Sequence, residues 1–167
     1  PPPLETLFPY TTLFRSIAKA YSTRVGEGPF VSELFDDMGA WLREQGHEFG
    51  ATTGRPRRCG WLDVNVVRHA AMINGLSDLV ITKLDILSGL KKIRMCVAYD
   101  IDGVRYDYIP SSMEELQRAK PIYEEFDGWQ EDISQEMALA GNGAGLLLDL
   151  FHGRICSHAQ RHAQGRH

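Results

Sequence analysis

The chain has 167 residues, of which 43% are hydrophobic and 24% charged, values typical of one globular domain rather than a fibrous or wholly disordered protein. Its 18 basic and 22 acidic residues give a formal charge of −4, which argues against a broad cationic face for nucleic acid. No apolar run reaches the roughly 18 residues of a membrane helix. Three widely spaced cysteines do not suggest a disulfide framework and indicate a reducing, cytoplasmic setting.

The first residues, PPPLETLFPYTTLFRS, lack the basic start, apolar stretch and cleavage site of a signal peptide. A proline-led tail and a short extended segment are two ordinary interpretations. A third is sharper, because residues 6–16 (TLFPYTTLFRS) agree throughout with the translation of a widely used sequencing-library adapter. We therefore expect residues 1–16 to be an artefactual, disordered tail outside the fold.

A first helix is predicted over residues 32–45, with Ser32 as its N-cap and Gly46 as its stop. The apolar side chains at helical spacing are Leu34, Phe35, Met38, Trp41 and Leu42. This stripe is interpreted as core rather than as a binding surface. Residues 50–60, GATTGRPRRCG, follow as a loop rich in glycine, threonine and arginine.

A second helix is predicted over residues 64–74, with Asp63 as its N-cap and Gly75 just after its end. The expected inward side chains are Val64, Val67, Ala70, Ala71 and either Met72 or Ile73. Residues 78–82 (DLVIT) fit a buried strand, and residues 93–99 (IRMCVAY) a second strand.

The pair Asp102 and Gly103 is a strong hairpin signal, so residues 104–109 are expected to return antiparallel. A short acidic helix is predicted over residues 112–119, with Pro121 ending it and Gly128 and Trp129 closing the ordered part. The alternation of strands and helices indicates an α/β protein.

Residues 135–167 carry no clear pattern of caps and apolar stripe, and we expect a poorly folded, disordered tail there. The alternative is a zinc site, because His158 and His162 have the i,i+4 spacing of one helical face and Cys156 is nearby. Two further ligands at finger-like spacing are missing, which favours the tail.

The first candidate for ligand chemistry is the loop TTGRPRR (52–58). Glycine and threonine give a mobile loop with exposed donors, and arginine pairs in a bidentate way with carboxylate or phosphate. Three arginines in four positions repel one another unless an anion is present. An anionic small ligand is therefore favoured over a solvated basic loop.

The second candidate is TKLD (82–85), directly after a predicted strand. Asp85 can accept from N1–H and the exocyclic amine of guanine, whereas adenine would leave a buried Asp85 without a donor. Lys83 can lay its stem along the purine plane. The spacing matches the guanine-specificity element of G proteins, with Thr82 in place of asparagine; taken alone, an ordinary strand-end polar pair remains the alternative.

Residues 17–134 resemble the C-terminal part of the adenylosuccinate synthetase family. The matching blocks are AKAYSTRVGEGPF (18–30), GHEFGATTGRPRRCGWLD (46–63), TKLDILSGL (82–90), CVAYDIDG (96–103) and PIYEEFDGWQEDIS (121–134). The resemblance implies an incomplete α/β fold, the C-terminal portion of a P-loop-like mixed sheet flanked by helices.

The resemblance also implies a function. The family is a magnesium-dependent ligase of purine and AMP biosynthesis that joins IMP to L-aspartate and hydrolyses GTP. The γ-phosphoryl group of GTP moves to the 6-oxygen of IMP, and the aspartate amine then displaces phosphate. The family implies a cytoplasmic homodimer, with no nucleic-acid or membrane partner.

Residue roles follow from the same resemblance. The loop that closes on aspartate would comprise Ala51, Thr52, Thr53, Gly54, Arg55, Pro56 and Arg57. Arg55 would contact IMP, Arg57 the anions of GTP or aspartate, and the Val25 backbone the IMP ribose. The guanine-holding residues would be Lys83, Leu84 and Asp85.

The sequence also departs from the family pattern. The phosphate loop of GDEGKGK type is absent, and with it the family's catalytic Asp and His and its Mg²⁺ ligands. The final SxGP segment is absent too, and a frameshift after Ser134 would explain this. We expect a truncated fragment, inactive as written; the alternative is a non-catalytic guanine-nucleotide-binding fragment or interaction module.

Overall fold

The computed structural model describes residues 15–76 and 78–134, and the expectations for residues 1–14 and 135–167 lie outside this part. The strands of the described part are β1 Arg15–Lys19, β2 Tyr21–Arg24, β3 Arg58–Asp63, β4 Asp78–Thr82, β5 Lys92–Ile101, β6 Val104–Tyr106 and β7 Lys120–Asp127. Its helices are α1 Asp37–Gln45, α2 Val64–Asn74 and α3 Met113–Arg118. Mixed sheets with flanking helices confirm the α/β class.

Two sheets organise these strands. In the smaller sheet β1 pairs in parallel with β4, and Lys19 lies opposite Thr82. In the larger one β2 pairs antiparallel with β3, β3 pairs in parallel with β5, and β6 and β7 both pair antiparallel with β5. The two sheets adjoin at Ala20, which connects β1 to β2. The Ala20 N–H donates to the Thr82 carbonyl at the end of β4, at 2.8 Å.

The core lies where β2, β3 and β5 pack against α1 and the turn Asp85–Leu87. Its buried side chains include Tyr21, Leu42, Trp61, Leu62, Leu87, Ile93, Met95 and Trp129. The middle of β5 is buried without alternation, as expected for a central strand covered on both faces. Both free thiols are buried, Cys59 in this core and Cys96 in a second cluster with Tyr99 and Ile101.

Helix α1 begins five residues later than the sequence predicts. Asp36, not Ser32, is the N-cap, and its carboxylate accepts from the Gly39 N–H at 3.1 Å. Glu33 forms a β-bridge with Gly60, which draws residues 32–34 away from the helix, and Phe35 is 90% exposed rather than core. The stop at Gly46 is confirmed, with its N–H donating to the Leu42 carbonyl.

Helix α2 has the predicted bounds, with Asp63 as N-cap and Gly75 in the left-handed region that a C-terminal glycine favours. Val64 and Ala71 are buried, and Val67 and Ala70 are half-buried. Met72 and Ile73 are more than half exposed, so that part of the predicted face is wrong. Because each residue turns the helix by about 100°, Met72 and Ile73 lie about 100° and 200° from Ala71 and point away from the face that packs on β5.

The hairpin prediction is confirmed, with Asp102 and Gly103 both at positive φ between β5 and β6. The returning strand ends at Tyr106 rather than at residue 109. Strand β4 is present, but Val80 is 48% exposed, because in the described part β4 pairs only with β1. Among the described helices, none combines the length and apolar character needed to cross a bilayer.

Asp63 joins two elements through a buried carboxylate. Its Oδ1 accepts from the N–H groups of Asn65 and Val66, and its Oδ2 accepts from the Tyr99 hydroxyl at 2.7 Å. Burial raises the pKa of the Asp63 carboxyl, although the hydrogen bonds oppose this shift. The folded state therefore loses stability as pH rises through that raised pKa, because ionisation is harder there than in the unfolded chain.

We expect Asp63→Ala to lower the free energy of unfolding by about 2–4 kcal/mol, from the lost helix cap and the unpaired Tyr99 hydroxyl. Asp63→Asn is the matched control, because an amide can cap α2 with its oxygen and donate to Tyr99 with its nitrogen. It should match or exceed the unmodified chain at neutral pH in urea denaturation. An alanine variant as stable as the asparagine variant would contradict this role.

Candidate functional site

The predicted ligand loop 51–57 is closed at its base by backbone hydrogen bonds. Phe49 forms an antiparallel bridge with Pro56, the Gly50 N–H donates to the Arg55 carbonyl, and the Arg57 N–H donates to the Glu48 carbonyl. Gly54 turns the loop at φ 64°. Residues 51–56 are exposed, so the loop presents threonine hydroxyls and the Arg55 guanidinium to solvent above a fixed base.

Glu48 lies beneath this loop and is 1% exposed. Its carboxylate accepts from Lys19 Nζ at 2.7 and 2.8 Å, from the Tyr21 hydroxyl at 2.8 Å and from Arg57 Nη1 at 2.9 Å. Burial alone would raise the pKa of the Glu48 carboxyl, but these hydrogen bonds outweigh it and lower that pKa. The ion pairs are therefore present at neutral pH and are lost only as pH falls through the lowered pKa.

The three loop arginines have different surroundings. Arg57 pairs with Glu48, and Arg58 pairs through two nitrogens with Glu33, so each has its anion within the protein. Mutual repulsion of three arginines therefore does not require an external anion. Within residues 15–76 and 78–134, the Arg55 side chain forms no ion pair or hydrogen bond. Arg55 is the loop cation left available for a ligand.

The loop that carries Val25 lies next to this base, because β2 and β3 place Arg24 opposite Arg58. Arg24 donates to the carbonyls of Glu27 and Pro29, and Arg58 Nη1 donates to those of Gly26 and Gly28. The Val25 side chain is 77% exposed. Two arginines thus fix the backbone of a glycine-rich loop beside Arg57.

Lys83, Leu84 and Asp85 follow β4 in an unusual backbone conformation. Lys83 has φ 64°, a left-handed value that costs a residue with a side chain energy and often marks a functional segment. Its Nζ donates to the Gly46 carbonyl at 2.8 Å, at the C-terminus of α1. Leu84 is buried, whereas Asp85 is exposed at the start of the turn Asp85–Leu87.

Asp85 thus departs from the buried carboxylate that the sequence argument assumed. Leu84 and Leu87 take the core positions of this turn, which leaves Asp85 on the surface. Its carboxylate forms no ion pair or hydrogen bond within the described part of the chain. Burial and the hydrogen bond to Glu48 raise the pKa of the Tyr21 hydroxyl, and the negative charge of Asp85 adds to this shift.

The segment 46–48 connects the two predicted sites. Gly46 receives the Lys83 ammonium at its carbonyl, and Glu48 receives Arg57 and Lys19 at its carboxylate. Gly46 has no room for a side chain, because a Cβ there would collide with the Tyr21 hydroxyl. The structure therefore brings the guanidinium loop and the Lys83–Asp85 segment to the same end of α1.

Several of these supporting residues were missed in the sequence reasoning. They are Lys19, Tyr21, Glu33, Arg43 and Glu48; Arg43 Nε donates to the Arg57 carbonyl at 2.9 Å. Glu48 stands in the block GHEFG, but a single acidic residue there has no periodicity that would indicate burial. Its role depends on partners 9 to 29 residues away in the chain.

A cavity of about 410 Å³ lies beside β2 and α2, with Arg24, Phe30, Asp63, Val66 and Tyr99 among its lining residues. The polar groups of Arg24, Asp63 and Tyr99 already bond within the protein. Among residues 15–76 and 78–134, no group of three or more His, Cys, Asp or Glu side chains could hold a metal ion. The alternative zinc residues 156–162 lie outside this part.

Comparison with known proteins gives one consistent result. The family model for adenylosuccinate synthetase matches residues 10–140. The curated adenylosuccinate synthetase of Bifidobacterium longum (strain DJO10A) is 63% identical over 118 residues, which are 71% of this chain and 28% of that protein. That of Pseudarthrobacter chlorophenolicus is 56% identical over 132 residues, 78% of this chain and 31% of that protein.

A solved structure, fully ligated adenylosuccinate synthetase from Plasmodium falciparum, matches with a TM-score of 0.77 and 39% sequence identity. The match covers 83% of this chain and 35% of that chain. The present chain thus spans about a third or less of the length of these relatives.

Proposed function

The chain belongs to the adenylosuccinate synthetase family, and on that premise we propose that it is a substrate-binding part of a GTP-dependent carbon–nitrogen ligase. The reaction joins IMP and L-aspartate to form adenylosuccinate, a step of AMP biosynthesis. One observation carries the proposal: segment 46–48 holds both the arginine loop and the Lys83–Asp85 segment through direct side-chain hydrogen bonds. The cationic loop 51–57 and the Lys83–Asp85 segment are therefore both held by residues 46–48.

Guanine recognition is proposed for Lys83, Leu84 and Asp85. The exposed Asp85 carboxylate offers two acceptor oxygens to the N1–H and the exocyclic amine of guanine. Leu84 anchors the segment in the core, and the hydrogen bond from Lys83 to Gly46 fixes its left-handed turn. The stem of Lys83, held in this way, can cover a purine face.

Substrate anions are proposed to bind at the loop comprising Ala51, Thr52, Thr53, Gly54, Arg55, Pro56 and Arg57. Arg55 has no side-chain partner in the described part of the chain and can offer its whole guanidinium to IMP, whereas Arg57 keeps donors beyond the one that Glu48 uses. The threonine hydroxyls and backbone N–H groups of the loop add uncharged donors for the aspartate carboxylates. The Val25 backbone, which follows the Arg24–Arg58 pair in the chain, is proposed to contact the IMP ribose.

These residues would position the substrates and would not act as general acids or bases. The γ-phosphoryl group leaves GTP for the 6-oxygen of IMP, and the aspartate amine then forms the new carbon–nitrogen bond as phosphate departs. Guanidinium groups near the phosphate and carboxylates lower the cost of bringing several anions together. Mg²⁺ is the family's proposed cofactor, but the described residues do not fit it as a ligand cluster, and their roles do not depend on it.

We further propose that residues 17–134 form the family segment and that residues 135–167 lie outside the family fold. The artefactual tail expected over residues 1–16 would end before Arg15, because Arg15 and Ser16 belong to β1 and pair with Asp78 and Leu79 of β4. The buried free thiols of Cys59 and Cys96 support a reducing compartment such as the cytoplasm. By the family resemblance the working enzyme is a homodimer that acts on GTP, IMP and L-aspartate, without nucleic acid or membrane.

A chimera tests the proposed function. Residues 17–134 would replace the matching segment of the 63% identical Bifidobacterium longum protein, and adenylosuccinate formation would be followed by absorbance with GTP, IMP, aspartate and Mg²⁺. We expect turnover within about tenfold of the parent enzyme, because volume-conserving replacements within a family are well tolerated. A folded chimera without turnover would refute the proposal. GDP binding by the 167-residue chain, measured calorimetrically, would then favour the alternative of a non-catalytic guanine-binding module.

A further inference from the structure

We propose that two carboxylates, the buried Glu48 and the partly buried Glu33, are separate positioning residues, one for each ligand-facing loop. Glu48 would set the arginine loop 51–57, and Glu33 would set the glycine-rich loop 25–29. The inference rests on the proposed function, because it assigns Arg57 and the threonines of the first loop to aspartate, Arg55 of that loop to IMP, and the backbone of the second loop to the IMP ribose. Neither carboxylate would itself touch a substrate.

Glu48 is suited to orient Arg57 because its own position is fixed. Lys19 from β1 and Tyr21 from β2 occupy its oxygens, so the carboxylate is held by two strands before Arg57 binds. Arg57 uses only Nη1 on Glu48, and its Nε is buried without a partner in the described part of the chain. The bond therefore fixes the guanidinium. The buried Nε cannot reach a ligand, and Nη2, which forms no hydrogen bond within the described residues, is the nitrogen left for one.

Glu33 does the same for the other loop through Arg58. The Glu33 side chain is 9% exposed and accepts from both Arg58 Nε and Arg58 Nη2. Arg58 Nη1 then reaches the carbonyls of Gly26 and Gly28 at 3.1 and 2.9 Å, and its guanidinium lies 5.6 Å from the Phe30 ring centre. Fixing Arg58 therefore fixes the backbone on both sides of Glu27.

The charge balance of the two pairs explains why the loops would recognise different groups. Glu48 faces two cations, Lys19 and Arg57, so one positive charge remains at the base of its loop. Among residues 15–76 and 78–134, Glu33 forms an ion pair with Arg58 alone, and that pair is neutral. A residual cation attracts the carboxylates of aspartate. In the other loop Arg24 and Arg58 are committed to backbone carbonyls, which leaves the remaining backbone groups to contact an uncharged ribose.

Buried ion pairs are weak evidence for a stabilising role, because desolvation offsets much of their attraction. They do, however, restrict an arginine to one orientation, which is what a bidentate anion site needs. The two pairs are adjacent in the chain through Arg57 and Arg58 but lead to different loops. Their effects should therefore separate by substrate.

Steady-state kinetics of the chimera would test this separation. We expect Glu48→Gln to raise KM for aspartate by about ten- to a hundredfold, the effect of losing one charged hydrogen bond, and to lower kcat. Glu33→Gln should raise KM for IMP by about tenfold and leave KM for aspartate within about threefold. Asp127→Asn, which breaks an exposed pair with Lys92, is the matched carboxylate control and should change neither constant.

A second measurement uses the 167-residue chain without any substrate. In its NMR spectrum the Arg57 Nε–H signal should be resolved and slow to exchange, and Glu48→Gln should remove it while leaving that of Arg58. Glu33→Gln should have the reverse effect. Signals of both arginines unaffected by either change, or all KM values rising together, would overturn the inference. An inactive unmodified chimera would instead refute the proposed function, and the NMR result would still decide the positioning roles.

Discussion

Arg57→Ala and Arg55→Ala in the chimera are each expected to raise KM for aspartate and to lower kcat. In each variant kcat/KM for aspartate should fall by a factor of about 10² to 10³. Both arginines lie in a glycine and threonine loop, and charge stabilisation and loop closure depend on the same guanidinium contacts. Lysine should rescue either position poorly, because an ammonium lacks the bidentate fork.

The two alanine variants should differ in stability, which gives an internal control. Arg55 has no side-chain partner within the described residues, so Arg55→Ala should leave the thermal midpoint unchanged. Arg57→Ala removes one cation from the buried Glu48 carboxylate and should lower the midpoint. Steady-state kinetics with varied aspartate and a thermal melt of each variant provide the measurements. Wild-type kinetics in both variants would show that the loop does not bind substrate.

Asp85→Asn is expected to raise KM for GTP by about ten- to a hundredfold, the equivalent of one lost charged hydrogen bond, while KM for IMP stays within about threefold. The amide keeps one acceptor oxygen but turns an NH₂ group toward a guanine donor. Xanthosine triphosphate carries a carbonyl at C2 in place of the amine and can accept from that NH₂. The variant should therefore use xanthosine triphosphate better than the unmodified chimera does.

The experiment compares GTP and xanthosine triphosphate as phosphoryl donors for both proteins. Asp37→Asn offers a matched control, since Asp37 is another exposed carboxylate and lies on the first turn of α1. It should not alter the choice of nucleotide. An Asp85→Asn variant with unchanged KM for GTP and no gain with the xanthine nucleotide would refute the guanine assignment.

The local signals of the sequence predicted one part of the fold well. Helix α2 and the β5–β6 hairpin follow from Asp63, Gly75 and the pair Asp102–Gly103, whose preferences act within a few residues. The start of α1 and the strand β7 were not predicted, because distant residues decide them. Glu33 is held by its bridge to Gly60, and Pro121 is tolerated in β7 opposite Tyr99.

Composition and motifs indicated the loop and the segment proposed to bind ligands, but not the residues that support them. The loop 51–57 and the segment 83–85 stand out by residue type and by family resemblance. Glu48 does not, because a single glutamate signals burial only once Lys19, Tyr21 and Arg57 surround it. Similarly, nothing local shows that Arg58 pairs with Glu33 while Arg55 has no side-chain partner among the residues that the structure describes. Side-chain pairing across strands is a property of the folded chain.

The parallel pairing of β1 with β4 also bears on how the protein is made. Lys19 meets Thr82 across 62 intervening residues, so a nascent chain cannot form this pair until the ribosome has released β4. At about 5–20 residues per second, that delay is several seconds. Late in this delay, Lys19 and Glu48 have already left the ribosome and can form their ion pair. Lys83, whose ammonium donates to the Gly46 carbonyl, has not yet left it. The arginine loop can therefore assemble first, and the Lys83–Asp85 segment is added to it last.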